Sequence, residues 1–536
     1  MAFEIGKFGD DGLDEDYLTW LVDQQAPDTA AQFGRLWDYF RNPMTPALGP
    51  GASAMNVHSR PYLQAQEAGL PARITGVNRT ALDKQMPNRE RKEVVIENDI
   101  AWRVHTMVDF LFGKAPTIRS LAADRRMAAA VERVVAALFD ANGGSGFFQE
   151  MALLGSIHGF VDIALRTPAG GLAALAPAIP DKGPGPSGNS SPPRMPASSP
   201  PGEGGRPVIP YLPDSAIRRA IDCVRLLGLE TIEAPRILPV LEEYDYRRLR
   251  FWVQRFFAHP PRLGQTRRPW LGIFGRSRSA RPAAVEVVEI IGPSWWQRYE
   301  DRELVAEGPN PLGRLSVVHI QNMALGGSYA GLSDVEPLVP LQDELNTRLS
   351  DRANRVTFQS FKMFLAKGIE DFLERPVGPG QMWATHNPAA SIQEFGSDDG
   401  SPSEDIHIQQ VRSALDKVSA VTPLAAGLIQ GNVGNLTSAT ALKVLLGGLL
   451  ARTARKRLTY GAGIQQIVEL ALAWLDLTGA LRTGPDDRRV EIHWPNVLPV
   501  DEGEQLRNAR IKAQLGLSRE RVLSELGYDL ASQAND

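Results

Sequence analysis

Few side chains in this 536-residue chain have the type and spacing that enzyme chemistry requires. The single cysteine, Cys223, could act as a nucleophile, but its neighbours in sequence are apolar, which is typical of a buried, unreactive thiol. The eight histidines do not pair at metal-ligand spacing, so each is predicted to be structural. Carboxylate pairs at 398–399 and 486–487 could supply an acid and a base, but both occur in turn-like contexts and nothing singles them out.

Motifs that handle phosphate, metal or acyl groups do not occur in the sequence. There is no GxxxxGK[ST], HExxH or GxSxG string and no EF-hand series. A GxGxxG string at 183–188 has neither a strand before it nor a helix after it, so a dinucleotide site is not predicted there. We therefore expect no enzyme activity, no cofactor, no metal and no ATP-driven motor in this chain.

One cationic run stands out late in the chain. Residues 437–460 carry five positive charges and no acid. These side chains could contact DNA or a neighbouring subunit, and a solvated or intersubunit helix face explains the run equally well. The five residues are Lys443, Arg452, Arg455, Lys456 and Arg457.

The composition narrows the class of protein. The net charge of −4 (58 Lys and Arg against 62 Asp and Glu) excludes a strongly basic protein that coats nucleic acid. One cysteine excludes an intramolecular disulfide and any multi-cysteine zinc or iron–sulfur site, and suits a reducing compartment. The acidic first 16 residues do not resemble a secretory signal, and the longest nearly apolar stretch, 464–477, holds four polar or acidic residues, so membrane insertion is not expected.

Periodicity predicts a mixed α+β chain that is mainly helical. The chain length predicts about three to five structural units. In the first half, apolar residues recur at helical spacing over 13–41, 95–112 and 123–140, a helix followed by a strand is expected over 147–166, and 236–322 is β-rich. A Pro-, Gly- and Ser-rich stretch over 177–207 is predicted to be a surface loop.

The second half is predicted to be mostly helix. Helical patterns cover 332–362, 404–421 and 437–478, and Pro340 suggests that the regular part of the first begins only there. Residues 333–336 read as a capping box. Gly447 and Gly448 offer a place for the longest helix to bend. A strand is expected over 490–494.

Three passages resemble the portal proteins of tailed bacteriophages, in the subgroup with long stem helices and a clip. The first is FLFGKAP at 110–116, similar to the family's aromatic-leucine-phenylalanine-glycine-lysine-proline string but with Ala115 inserted. The second combines VVHIQN at 317–322 with the helix signature LQDELN at 341–346 and LSDRAN at 349–354. The third is SATALK at 438–443, where Ala439 replaces the usual glycine. The order of elements is similar over about residues 30–520.

The resemblance implies a portal-protein fold with wing, stem, clip and crown, assembled as a ring. The expected parts are a wing (1–332, with the 177–207 loop), a stem helix (333–362), a clip (363–402), a second stem helix (403–423), a tunnel loop (424–437), a long bent helix into the wing (438–478), a returning wing strand (479–499) and a short crown (500–536). The tunnel-loop residues expected in a DNA channel are Gly427, Gln430, Gly431, Asn432, Gly434 and Asn435.

The function implied is a DNA conduit at one capsid vertex. Through it a separate terminase would package the genome, and the genome would later be ejected. The expected partners are other copies of the chain in a ring of about twelve, double-stranded DNA, the terminase large subunit, a head-completion or adaptor protein, and the major capsid and scaffolding proteins, with no membrane. The expected location is the virion, with assembly in the host cytoplasm.

The sequence is also compatible with two other functions. Another structural or adaptor protein of a phage-like particle would share the composition but lack the order of stem, clip and stem. A DNA-processing enzyme with an unrecognised site would show turnover in a nuclease or ATPase assay. Near-neutral charge and a loop bearing Gly, Asn and Gln favour the conduit, because each phosphate neutralised by Lys or Arg adds affinity that would oppose sliding.

Overall fold

A computed structural model of the chain shows a mixed helix and sheet protein. The chain divides into two compact units. Unit 1 contains Met1–Phe33, Met107–Ser333 and Val433–Asp536, and unit 2 contains Gly34–Thr106 and Asp334–Asn432. The structure describes residues 3–9, 12–41, 95–167, 213–258, 284–360, 363–367, 387–395, 402–427, 443–498, 502–519 and 522–523.

A five-stranded antiparallel meander forms one part of unit 1. Its strands run in sequence order: β4 (Ile237–Glu242), β5 (Asp245–Ala258), β6 (Val285–Ile291), β7 (Trp295–Glu300) and β8 (Glu303–Pro309). The β-rich character predicted for 236–322 is confirmed.

The first residues of the chain cover one face of this meander. They contain the short helices α1 (Gly6–Gly9) and α2 (Glu15–Trp20), a π-helical turn (Leu21–Gln25) and the start of α3 (Ala26–Arg41). Phe3 and Phe8 are buried with Phe251 and Tyr299 in one core cluster. The Tyr299 hydroxyl also donates to the Glu4 carbonyl at 2.9 Å, so both burial and hydrogen bonding hold the first residues of the chain on the meander.

A smaller sheet in unit 1 has the order β3-β2-β9, with both pairs antiparallel. Its strands are β3 (Gly228–Ile232), β2 (Phe160–Arg166) and β9 (Val317–Gln321), and β2 follows directly on helix α6 (Ser145–His158). The predicted change from helix to strand within 147–166 is confirmed. Gly159 makes the turn between them at φ +93°, where a Cβ atom would lie 2.5 Å from the Gly331 carbonyl.

Unit 1 also contains four further helices and one strand pair. Strand β1 (Thr117–Ser120) pairs antiparallel with β12 (Val490–His493), so the strand predicted over 490–494 is present. The helices are α5 (Arg125–Ala141), α7 (Asp214–Val224), α10 (Gly447–Leu477) and α11 (Glu502–Gln514). Helical residues 443–445 precede α10, and the turn at Leu446 separates them from it directly before Gly447 and Gly448, the two glycines where a bend was predicted.

Unit 2 is built around helices α8 (Val339–Ser360) and α9 (Pro402–Ser419). A 3₁₀ turn (Glu336–Leu338) precedes α8, as Pro340 indicated. Between the two helices, β10 (Met363–Lys367) pairs antiparallel with β11 (Ser391–Phe395). Unit 2 also contains the end of α3, the segment 95–98 and the first turns of α4 (Asp99–Phe112).

The helix predicted over 95–112 begins four residues later than expected, at Asp99. Apolar periodicity was the wrong signal for this boundary, because the extended residues 95–98 bind side chains of α8 rather than their own backbone. The start is marked by Asn98, whose Oδ1 accepts from the Ala101 N–H at 2.9 Å, the geometry of an N-cap. An asparagine before an apolar run was a readable signal.

Candidate functional site

The signature residues of α8 hold an extended segment of the chain. Gln342, Asn346 and Ser350 are completely buried, and their side-chain oxygens accept the N–H groups of Asp99, Glu97 and Val95, respectively, at 3.0–3.1 Å. Gln342 also donates to the Glu97 carbonyl at 2.6 Å, and the Ser350 hydroxyl to the Val95 carbonyl at 3.2 Å. We call this arrangement the polar ladder.

The spacing of the polar ladder follows from the geometry of its two elements. Four residues of α-helix rise about 6.0 Å. Two residues of extended chain rise about 6.6 Å. Side chains four residues apart on α8 therefore match alternate N–H groups of the segment 95–99. They accept hydrogen bonds from this extended segment as the carbonyl groups of a neighbouring β-strand would. Three polar residues spaced four apart on one helix face, Gln342, Asn346 and Ser350, were the sequence signal for this contact.

A buried arginine joins the other helices of unit 2. The Arg103 side chain is 2% exposed and forms ion pairs with Asp99 at 3.2 Å and Asp416 at 2.5 Å. It also donates to the Asp99 carbonyl at 2.7 Å. On the same side, Arg412 of α9 pairs with Glu97 at 2.7 Å. The buried Arg103 therefore requires its carboxylate partners, because a buried charge left unpaired is costly.

The charges on α8 and α9 are balanced within the helix pair. Together the two helices carry five cationic and six anionic side chains with His neutral, a net charge of −1. Arg352 pairs with Asp405 at 3.0 Å, and Arg355 pairs with Glu404. Neutralised cations offer little attraction to phosphate.

The acids of this helix pair respond to their surroundings in opposite directions. Burial raises the pKa of Asp343, against the lowering effect of the Tyr39 hydroxyl, which donates to both its oxygens at 2.8 Å. Burial also acts to raise the pKa of Glu344, but hydrogen bonds from Arg348 at 2.7 Å and His407 at 3.1 Å outweigh it, so this pKa is lowered. Glu344 therefore stays ionised and paired.

The predicted tunnel loop lies mostly outside the described residues. Of its six named residues, Gly427 is described: it ends a turn at φ +75°. Gln430, Gly431, Asn432, Gly434 and Asn435 fall outside, as do the 177–207 loop and the acidic pair at 398–399. Their predicted roles stay predictions.

The five cations of the 437–460 run separate into two groups. Lys443 and Arg455 are exposed, and Arg452 is partly exposed. Arg457 is partly buried: it donates to the Pro495 carbonyl at 3.0 Å, stacks over the Trp494 ring at 5.2 Å, and has a pKa lowered by burial. The first three keep their predicted role as DNA or subunit contacts.

For Lys456 that prediction is wrong. Its side chain is 1% exposed, and its ammonium donates to the Ser156 hydroxyl of α6 at 2.9 Å. Both Ser156 and the Tyr460 hydroxyl contact the Asn322 side chain, at 3.4 and 3.2 Å. Helical spacing turns Lys456 inward while Arg455 faces solvent. We call these four residues the Lys456 junction.

A serine beside a lysine can be a nucleophile and its base. In the Lys456 junction this chemistry is blocked, because Ser156 is fully buried and a substrate could not reach its hydroxyl. The role of the Lys456 junction is instead structural, because Asn322 holds the neighbouring backbone through hydrogen bonds. Its backbone N–H donates to the Gly159 carbonyl at 2.8 Å and its side chain donates to the Leu332 carbonyl at 2.9 Å, which fixes the chain just before unit 2 begins.

The VVHIQN motif contributes a second buried polar centre in unit 1. Asp162 on β2 is fully buried and accepts from Trp252 at 2.7 Å and from Tyr329 at 2.8 Å. His319 places one ring nitrogen 2.7 Å from Asp162 and the other 2.9 Å from the Tyr329 carbonyl. Burial, followed by Asp162, raises the Tyr329 pKa well above its usual value, so the phenol stays protonated as a donor.

Other sequence candidates are placed without forming a site. Cys223 is half-buried on α7, and burial raises the pKa of its thiol. Asp486 is fully exposed, and Asp487 accepts from the Gly484 N–H. Within the described ranges, no three His, Cys, Asp or Glu side chains are grouped so that they could hold a metal ion. Among the same residues, no helix is both long and apolar enough to cross a bilayer.

These observations define a mixed helix and sheet protein with two compact units, one of which is built around a pair of long helices that make buried polar contacts. Residues 292–528 match the family described as phage portal protein, SPP1 Gp6-like. The resemblance predicted from the sequence is therefore confirmed over these residues, which include α8, α9 and α10.

Two solved structures are similar to the chain. One is a chain in the neck of an empty GTA particle, computed with C6 symmetry, with 12% identity, coverage of 81% of this chain and 90% of that chain, and a TM-score of 0.42. The other is a chain in the virion of a native gene transfer agent (GTA) particle, with 12% identity, coverage of 80% and 93%, and a TM-score of 0.36. No curated protein matches the sequence.

Proposed function

We propose that this protein is the portal protein of a phage-like particle. Copies of the chain form a closed ring at one vertex of the capsid, and double-stranded DNA passes through the ring. The observation that carries the proposal is the family match over 292–528, which includes both long helices of unit 2 and the helix after the predicted tunnel loop.

The charge on the helix pair supports a conduit rather than a DNA-gripping surface. DNA binding strengthens with every phosphate that a cation neutralises, and tight binding would oppose sliding. The described part of α8 and α9 is close to neutral, and its arginines pair with carboxylates. This balance suits helices that stand beside moving DNA.

The proposal includes a division of labour with other proteins. The sequence has no phosphate-binding loop of the P-loop type, so a separate terminase would supply the energy for packaging. The ring would bind a head-completion or adaptor protein and the capsid, remain in the virion, and later release the genome. We infer no enzyme activity for the chain itself.

Electron microscopy of the purified protein tests the ring. Closed rings of about twelve copies with a central hole are expected. Monomers or dimers at all concentrations would refute the portal assignment and favour the adaptor protein. Nuclease or ATPase turnover by the protein alone would instead support an enzyme.

Deleting residues 427–434 tests the tunnel loop. We expect the deletion to leave ring formation intact and to impair DNA retention or packaging, because the loop is expected to face the DNA. Loss of rings would show that the loop has been misplaced.

A further inference from the structure

The first four turns of α10, with the residues just before them, carry apolar side chains on the exposed side as well as on the buried side. One side is buried in unit 1 and contains Leu446, Leu449, Thr453, Lys456 and Tyr460. The opposite side is exposed and contains Gly448, Ala451, Arg455 and Leu458, and Val444 is exposed just before the helix. Val444 is 76% exposed and Leu458 75% exposed. A helix on a protein surface normally carries polar residues on its outer side, so this surface is suited to a partner.

The spacing of the exposed side is that of a helix-packing seam. Ala451 and Leu458 stand seven residues apart on α10, which places them in one row along the helix, and the exposed Val444 lies before the helix and the turn at Leu446. Gly448 and Ala451 are small, and small residues between larger ones let another element approach closely. We call this row the α10 seam. The exposed cations Lys443 and Arg455 stand beside or within it.

A surface of opposite charge lies elsewhere in unit 1, on α2. Tyr17 and Trp20 stack with ring centroids 5.7 Å apart and are 40% and 44% exposed. Exposed carboxylates lie near this aromatic pair in sequence at Asp14 and Asp16, whereas Asp23 pairs with Arg302. Large aromatic side chains presented to solvent are the usual anchors of protein interfaces. We call this surface the α2 patch.

We propose that the α10 seam of one copy binds the α2 patch of the next copy. This inference rests on the proposed function and names the surfaces by which the ring closes. A head-to-tail ring needs two different, mutually complementary surfaces on each subunit. The α10 seam offers apolar side chains and cations, and the α2 patch offers aromatic side chains and carboxylates. The two surfaces are therefore complementary in hydrophobic character and in charge.

The same observations decide between the two partners considered for the cationic run. A DNA-binding face would present its cations to the phosphates. On α10, Lys456 is buried and Arg457 is occupied by Trp494 and Pro495, while the exposed row is largely apolar. A protein surface is therefore the better match for this side of the helix.

Two variants that each damage one surface provide the test. Leu458→Asp should disable the α10 seam and Trp20→Asp the α2 patch, each weakening self-association by about thirtyfold or more, as loss of a central anchor does. Leu477→Asp is the matched control, since Leu477 is 48% exposed near the other end of the same helix. It should assemble as the unchanged protein does. All three positions are exposed, so the thermal unfolding temperature should be unchanged.

Mixing the two disabled variants gives the decisive result. Each retains one intact surface, so a mixture should form a one-to-one heterodimer and nothing larger, measured by mass photometry. Rings formed by either variant alone, or a mixture that stays monomeric, would overturn the proposed pairing of the two surfaces. Neither result would contradict the proposal that the unchanged protein forms a ring. Intact rings of Leu458→Asp that lose DNA would assign the seam to DNA. Absence of rings in the unchanged protein would instead refute the proposed function.

Discussion

Replacing Gln342 by methionine would remove one rung of the polar ladder without leaving a cavity. In the structure, the Gln342 oxygen accepts the Asp99 N–H at 3.1 Å, and its nitrogen donates to the Glu97 carbonyl at 2.6 Å. Leaving a buried N–H unpaired costs about 1–3 kcal/mol, and losing the second bond about 1 kcal/mol more. We expect Gln342→Met to destabilise the contact between α8 and the segment 95–99 by about 3 kcal/mol.

Amide hydrogen exchange measures this loss at the site itself. A change of about 3 kcal/mol corresponds to exchange at Asp99 that is about 100-fold faster, since about 1.4 kcal/mol is a factor of ten. Thr347→Ala is the control on the same helix: Thr347 is also buried, but its hydroxyl donates to the Asp343 carbonyl one turn back. Its effect on Asp99 should be below tenfold. Unchanged protection of Asp99 in Gln342→Met, or an equal effect of the control, would refute the ladder.

Substitutions at Gly155, Lys456 and His158 test the interior of unit 1, and one at Gly34 in unit 2 serves as a control. Gly155→Ala would place a methyl group 2.1 Å from the Tyr460 hydroxyl and should lower the melting temperature, whereas Gly34→Ala, with nothing within 4 Å, should stabilise its helix by about 0.5–1 kcal/mol. Lys456→Ala should destabilise the fold by about 1–3 kcal/mol in a denaturant titration, because it leaves the buried Ser156 hydroxyl without this donor. An effect below about 0.5 kcal/mol, the size typical of a surface mutation, would contradict this. Burial lowers the pKa of His158 to about 3, against 6.5 in the unfolded chain. The contribution of the neutral His158 to the free energy of unfolding is therefore complete above pH 6.5 and falls by up to about 1.4 kcal/mol per pH unit as the pH drops toward 3. His158→Phe should remove this dependence and flatten a plot of melting temperature against pH over the same range.

The local elements of this protein could be predicted from its sequence because they depend on neighbours in the chain. The helix-to-strand change before β2, the strand at 490–493 and the start of α8 near Pro340 all follow from periodicity and proline chemistry. The portal resemblance was also readable, because the helix signature and the preceding motif are short local strings. Asn98 shows the limit of periodicity alone: its capping side chain, rather than the apolar pattern, sets where α4 begins.

The tertiary structure decided what the polar residues do. Gln342 bonds to Asp99 across 243 residues, and Lys456 bonds to Ser156 across 300. No local pattern contains such a partner, so the same lysine could be read as a DNA contact or a core residue until folding placed it. Whether a polar side chain faces solvent or an interior partner is a property of packing. The sequence therefore determined which elements form, and the fold determined that the signature residues bind the chain itself.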